Sequence, residues 1–324
     1  MEFKGRSFYN LLRINLKEDP SLHVEPWQVA DYRLFSVEEI LEELRVLKVP
    51  LTQEAFFLYA ESCESPEDLL ECLWIDEDKE EEQEKVYLLL FELWRRWATD
   101  KRSLSIFCDE LDEQIFLYDE GHLEEEESLQ KALNMLEDLL DQGVDEGVLP
   151  KEIFKMISFY LAHDVEQFLY DYIVDLIEKE NEVYASELID GMISYVSEKK
   201  WFDLLRARLF CLSNSPETSM LIARILEQAE EEPDPEFLME LAHFLAFSGE
   251  DLSLFDECVG KLLPLLDTEE ALMELTELIS EVALSLDQES LAERVVEWIK
   301  QREKRSLISP VDRESVQTFL SQLV

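Results

Sequence analysis

The chain has 324 residues, with 76 acidic side chains against 29 basic ones, a net charge of −47, and 47% hydrophobic residues. So much apolar content excludes an acidic disordered tail, which cannot offset the ordering entropy of folding, and the anionic excess argues against direct binding to nucleic acid or to an anionic membrane surface. Only 7 glycines are present, too few for the hairpin turns of a large β protein or for a phosphate-cradling loop, and neither GxGxxG nor GxxxxGK[ST] occurs.

Abundant Leu and Glu predict an all-α protein. In chain order, 3.6-residue apolar periodicity predicts helices near 36–48, 52–62, 66–75, 80–99, 101–118 and 123–141. Ser36 with Glu39 has capping-box spacing, and Asp267 with Glu270 has the related Asp form. Ser65-Pro66, Ser215-Pro216, Asp234-Pro235 and Ser309-Pro310 each place a capping residue before a proline at the first helical position. The segment Asp141–Pro150, with two glycines and a proline, is the expected boundary between an N-terminal acidic helical domain, 1–145, and a C-terminal domain, 146–324. Further helices are predicted near 151–163, 165–180, 182–197, 199–212, 216–232, 235–248, 251–266, 269–286, 288–304 and 310–323.

The second half is periodic. Helix pairs are expected to begin near Val165, Lys199, Asp234 and Glu269, about 35 residues apart, the spacing of helical-hairpin arrays that bury their apolar faces by stacking. Within Pro235–Pro264, the Leu241-Ala242 pair, Phe244, Leu245 and the turn Gly249-Glu250 resemble a tetratricopeptide repeat. Ala292 and Trp298 give the unit from Glu269 a comparable pattern. The resemblance covers about 140 residues. Gly249 has no counterpart in the other units, and the repeat's tryptophan and proline positions are mostly unmatched. What the resemblance implies is a curved array with a concave face that binds a peptide or helix. The expected fold is therefore an N-terminal helical bundle followed by a stacked helix-pair array, α-solenoid-like.

Charge is unevenly spread. Asp76–Glu84 holds seven acids and one lysine, and Asp119–Glu127 holds six acids with no lysine or arginine. Leu209–Glu293 carries 21 acids against Arg224 and Lys261 alone, a net of −19. Like charges crowded on helices cost stability, so the excess points to solubility or to a cationic partner. Basic residues gather in three places: Lys4, Arg6, Arg13 and Lys17; Arg95, Arg96, Lys101 and Arg102 around Trp94 and Trp97; and Arg294, Lys300, Arg302, Lys304 and Arg305. Arginine beside tryptophan is a nucleic-acid stacking pattern, but at a helix C-terminus it also complements the dipole, which is the expected role here.

Sites with bond-making chemistry are not indicated. Glu240 and His243 form one ExxH pair, whereas a carboxylate-bridged di-iron bundle needs two. Tyr160 stands three residues before His163, and Asp119 three before His122. No GxSxG or Cys/His signature occurs. The cysteines Cys63, Cys72, Cys108, Cys211 and Cys258, odd in number and without CxxC, fit reduced thiols. No apolar h-region follows the basic residues of 1–17, and no apolar run approaches a membrane span, so the expected location is cytoplasmic.

The function expected is that of a non-enzymatic interaction protein, an adaptor, scaffold or dedicated chaperone without a cofactor. Its partner would be a protein, reached through a basic or amphipathic helix or peptide, with no direct nucleic-acid or membrane contact. Phe237, Phe244, Phe247 and Trp298 are the candidate anchors, since buried aromatics carry much of the energy of such contacts. The alternatives are an anionic mimic of nucleic acid and a helical enzyme with a cryptic metal or carboxylate site around Glu240 and His243.

Overall fold

A computed structural model describes residues 5–74, 79–101, 103–123, 125–248, 252–302, 305–313 and 316. The described residues form sixteen α-helices and two short 3-10 turns, Tyr32–Leu34 and Leu263–Leu265. No strand is present among them, only one isolated bridge between Thr268 and Pro310. The chain divides into two compact units, one of Met1–Leu169 with Ser194–Ser197, the other of Tyr170–Ile193 with Glu198–Val324.

The first unit holds α1 Ser7–Glu18, α2 Val37–Val46, α3 Gln53–Ala60, α4 Pro66–Leu73, α5 Glu80–Trp97, α6 Leu104–Asp119, α7 Glu126–Asp145 and α8 Pro150–Ser158. Nine consecutive residues of α5, Val86–Trp94, are buried, so this helix is enclosed on all sides and forms the axis of a bundle. α2 and α4 pack against it, α1 packs on α6, and α6, α7 and α8 pack in succession. Helix starts follow the capping chemistry of the sequence. Ser36 Oγ accepts from Glu39 N while the Glu39 carboxylate accepts from Ser36 N, a complete capping box, and Ser65 caps α4 ahead of Pro66.

α1 is not among the predicted helices. Its buried side chains include Ser7 and Asn10 beside Tyr9, so polar residues occupy the inward face and erase the apolar period. α7 runs past the expected end at 141 to Asp145 because Gly143 serves the packing: a Cβ there would lie 2.5 Å from Ile153 Cγ1 of α8. α8 stops at Ser158 rather than near 163. The Asp141–Pro150 segment is the last turn of α7 and the lead into α8, within the first unit.

The chain passes into the second unit within α9, Val165–Glu178. There follow α10 Glu182–Met192, α11 Lys199–Leu212, α12 Glu217–Glu231, α13 Pro235–Phe247, α14 Leu252–Leu262, α15 Glu269–Ser285 and α16 Glu289–Arg302. α11 with α12, α13 with α14 and α15 with α16 form helix pairs, and α13 packs on both α11 and α15 while α12 packs on α14. The first helices begin at Lys199, Pro235 and Glu269, at the predicted period, and the arrangement is solenoid-like. One continuous apolar core runs through α11 to α15, from Leu204 and Ile222 to Leu241, Cys258, Leu275 and Val282.

Three capping expectations are corrected. Pro216 is itself the N-cap of α12, which begins at Glu217 and has no side-chain cap, so Ser215-Pro216 does not place a proline at the first helical position. Thr268, not Asp267, caps α15, accepting from Ala271 N, while Asp267 pairs with Arg313 at 3.1 Å. Ser309-Pro310 does not start a helix: this segment runs back along the start of α15, where Ser309 O and Leu307 O accept from Glu269 N and Glu270 N, both at 3.0 Å. The remainder of the predicted helix 310–323 lies largely outside the described residues, as do Gly249 and Glu250 of the repeat resemblance.

Candidate functional site

In the second unit the hairpin turns place the ends of α11, α13 and α15 at one edge of the array, because helices joined by short turns alternate in direction and the first helices of successive pairs run parallel. Five exposed large apolar residues stand at this edge: Leu212 ends α11, Phe247 ends α13, Leu252 begins α14, and Leu284 and Leu286 close α15, each between 39 and 69% exposed, while Val183, Met220, Val296, Leu307 and Ile308 are exposed elsewhere in the unit. Adjacent packed helices lie roughly 8–10 Å apart, so the edge offers an apolar foothold about every 10 Å.

The surrounding charge is almost purely negative. The two cations of Leu209–Glu293 are already engaged, Arg224 with Asp203 at 3.5 Å, and Lys261 with Glu257 at 3.2 Å and with Glu230. The acids are thus left in excess, and exposed Glu217, Glu281, Asp287 and Glu289 flank the edge.

The four candidate aromatics have different fates. Phe247 is the most exposed of the edge residues, at 69%. Phe237 is fully buried, its ring 5.1 Å from that of Trp201 in a T-shaped pair, so it builds the core and offers no surface. Phe244 is half-buried against that core, with the Arg208 guanidinium 5.8 Å from its ring centroid. Trp298 is likewise half-buried, covered by the Arg302 guanidinium at 4.5 Å. Sequence spacing did not separate these roles, since all four fall on apolar stripes. Position at the last residue of a helix, which Phe247 shares with Leu212, is the signal that would have done so.

Glu240 and His243 do not converge. Glu240 accepts from Tyr170 Oη at 3.2 Å and pairs with Arg208, whereas His243 Nε2 meets Glu274 Oε1 at 3.0 Å. Among the described residues no group of three or more His, Cys, Asp or Glu side chains stands where it could hold a metal ion. Arg95, Arg96, Arg302 and Arg305 of the basic clusters each pair with a buried carboxylate. Arg95 and Arg96 both engage Glu92, which is fully buried on α5, and Trp94 is buried with its Nε1 donating to Lys101 O. Arg302 forms a two-pronged pair with buried Glu269, at 2.8 and 2.6 Å, and Arg305 adds a third bond at 3.0 Å. Burial alone would raise the Glu269 carboxyl, but the two guanidiniums outweigh it and hold it below the ordinary range.

The first unit contains a cleft of about 220 Å³ between α1 and α6, lined by Asn10, Arg13, Ile14, Phe116, Asp112 and His163 among others. Its polar floor is a structural brace. Asp112 accepts from Ala162 N, His163 N and His163 Nδ1. Asn10 Nδ2 donates to Asp109 and Asp112 at 3.0 and 3.2 Å, and Arg33 joins Asp109 to Glu113, both at 2.6 Å. These bonds hold α1, α6, the turn at Arg33 and the segment before α9 together.

No helix among the described residues is long and apolar enough to cross a membrane. Comparison with protein-family models, with curated proteins and with solved structures finds no match to this chain.

Proposed function

We propose that the second unit is a recognition module without catalytic activity, an adaptor, scaffold or dedicated chaperone of the cytoplasm, that binds a basic amphipathic helix along its hairpin-turn edge. The observation that carries this reading is the coincidence of exposed Leu212, Phe247, Leu252, Leu284 and Leu286 on one edge with a surface whose cations are already paired. The excess carboxylates steer a cationic segment inward and set its on-rate, and apolar contact sets residence. A helix advances about 10.5 Å in seven residues, close to the spacing of the footholds. The fitting partner therefore has apolar residues at i, i+7 and i+14, flanked by lysine or arginine.

The test is a titration of the full chain with a synthetic Lys-rich helix bearing Leu at those positions, beside a peptide of the same composition with the Leu positions scrambled. The reading expects the patterned peptide to bind more tightly and to keep part of its affinity at about 0.5 M salt, where the Debye length is well under 8 Å. Phe247→Glu, at an exposed position that leaves the core intact, should weaken it about tenfold. Equal binding of both peptides, or complete loss at high salt for both, means that the unit acts only as a cation exchanger, and the reading fails.

A further inference from the structure

We propose that Cys63 and Cys72 form a peroxide-responsive thiol pair that closes to a disulfide and clamps the α3–α4 hairpin of the first unit. The two sulfurs lie 3.7 Å apart, in contact but unbonded. The site is firmly built. Lys101 Nζ donates to Ala60 O and Cys63 O, both at 2.9 Å, Cys63 N donates to Ala60 O, and Asp68 accepts from Glu64 N at 2.9 Å while Ser65 caps α4. Cys72 stands on α4 one turn beyond Leu69, which is buried in the core. Closing the gap to a bonded separation of about 2.05 Å needs a movement of about 1.6 Å, within reach of a side-chain rotation at the exposed end of the pair.

The two thiols have unequal environments, and this sets the order of steps. Cys72 is exposed and Cys63 is buried. Burial, with Cys72 as a neighbour, pushes the Cys63 thiol up to about 11, so it stays protonated and inert towards oxidants in solution. The thiolate of Cys72 is therefore the nucleophile. Its sulfur lone pair attacks one oxygen of a hydroperoxide, the O–O bond breaks, the sulfur is oxidised by two electrons to sulfenic acid, and the leaving oxygen takes from solvent the proton that the thiol released on ionising, departing as alcohol or water. Cys63 then attacks the Cys72 sulfur, the S–O bond breaks, and hydroxide leaves as water with the Cys63 proton, giving the disulfide. The other cysteines lack this arrangement. Cys108 is fully buried, Cys258 donates to Leu238 O, and Cys211 donates to Ser248 O. The same hairpin presents three consecutive exposed side chains, Phe57, Leu58 and Tyr59, at the end of α3. The disulfide thus tethers a surface apolar turn and can be undone by thiol reductants, the behaviour of a redox-sensing pair in a reducing compartment.

A direct test is peptide mapping of the full chain after hydrogen peroxide. Trypsin leaves Cys63 and Cys72 together in residues 49–79, apart from the other three cysteines, so the disulfide makes that fragment lighter by two hydrogens. Cleavage after Glu64, Glu67 and Glu71 then yields pieces that stay joined until reductant is added. Cys72→Ser, at an exposed site, should lower Cys63 oxidation at least about tenfold. In Cys63→Ser, and in Cys63→Ala should the serine unfold the hairpin, a dimedone adduct should accumulate on Cys72. A 49–79 fragment that keeps its full mass while Cys108, Cys211 or Cys258 oxidises overturns the proposal, as does a sulfenic adduct found first on Cys63.

Discussion

In the first unit charge goes inside. Arg6, Glu92, Asp109 and Asp112 are all buried, and the two aspartates bond to positions far away in the chain: Asp109 to Asn10 and Arg33, and Asp112 to Ala162. The second unit keeps its many carboxylates on the outside. Among the described residues its buried charges are Asp203, Glu269 and Arg302, and the pair with both partners buried, Glu269 with Arg302, spans a single helix pair. The first unit is tied together by non-local polar contacts, which favour all-or-none unfolding. The second is a stack of nearest-neighbour interfaces, which opens in steps. The difference teaches that one anionic chain uses its carboxylates in two ways, as internal braces in one region and as an external field in the other.

The largest effect should come from Asp109→Ala. It removes the carboxylate that faces Arg6 at 3.6 Å and Arg33 at 2.6 Å, leaving the buried Arg6 guanidinium uncompensated. Breaking a buried pair in this way costs about 3–5 kcal/mol. Hydrogen exchange is expected to accelerate throughout α1, α5 and α6 while α11–α16 keep their protection. Faster exchange confined to α6 would mean that the brace is local and that the two units unfold more alike than their buried charges suggest.

Glu269→Gln is the corresponding cut in the array and should cost about 3 kcal/mol, because Arg302 loses its charged partner in a buried place. The effect should stay within α15, α16 and their neighbours. Its pH dependence follows from the depressed carboxyl. The Glu269 contribution is present above the ordinary value of 4.5 and is lost as pH falls through the lower value of the folded state. Surface carboxylates protonate in the same window and relieve repulsion, with the opposite sign. The informative quantity is thus the gap in unfolding temperature between the parent and Glu269→Gln, which should close on acidification. A gap unchanged from neutral pH to about pH 3 would mean that the charge of Glu269 contributes nothing to the stability of the array.

Legibility in the sequence followed the same divide. The array could be read because its core is apolar and local: starts at Lys199, Asp234 and Glu269 follow from periodicity and capping, and the helices begin at Lys199, Pro235 and Glu269. α1 was hidden because Ser7 and Asn10 face inward, and no pattern announces a buried polar residue whose partner lies about a hundred positions away. Gly143 was misleading for a related reason: glycine reads as a helix end, while here it makes room for Ile153. Of the candidate anchors, Phe237 and Phe247 both fall on the apolar stripe of one helix, and it is the position of Phe247 at the end of α13 that puts it on the rim while Phe237 is enclosed by the stacked pairs.

Gly143→Ala tests that close approach. The new methyl group would meet Ile153 Cγ1 at 2.5 Å and Cδ1 at 2.7 Å, and forced repacking of this kind costs about 1–3 kcal/mol, against a helix-propensity gain of about 1 kcal/mol. The expected net is a loss of about 1 kcal/mol, read as a lower urea midpoint for the first unit, with partial recovery on adding Ile153→Val. Recovery greater than the loss would show that helix propensity outweighs the clash.

The smallest effects separate the two ways of ending a helix. Ser36 caps α2 through its side chain, in a box completed by Glu39, and Ser36→Ala should cost about 1 kcal/mol. Thr268 occupies the same position on α15, but there Ser309 O and Leu307 O already accept from Glu269 N and Glu270 N, so the returning segment shares the task. Thr268→Ala should accordingly cost less, about 0.5 kcal/mol, and removing residues 307–311 together with Thr268 should cost more than the two changes made separately. Additive losses would show that the segment and the side chain satisfy the helix start independently. A larger loss at Thr268 than at Ser36 would place the weight of α15 on its own cap and leave the returning segment as a passive neighbour.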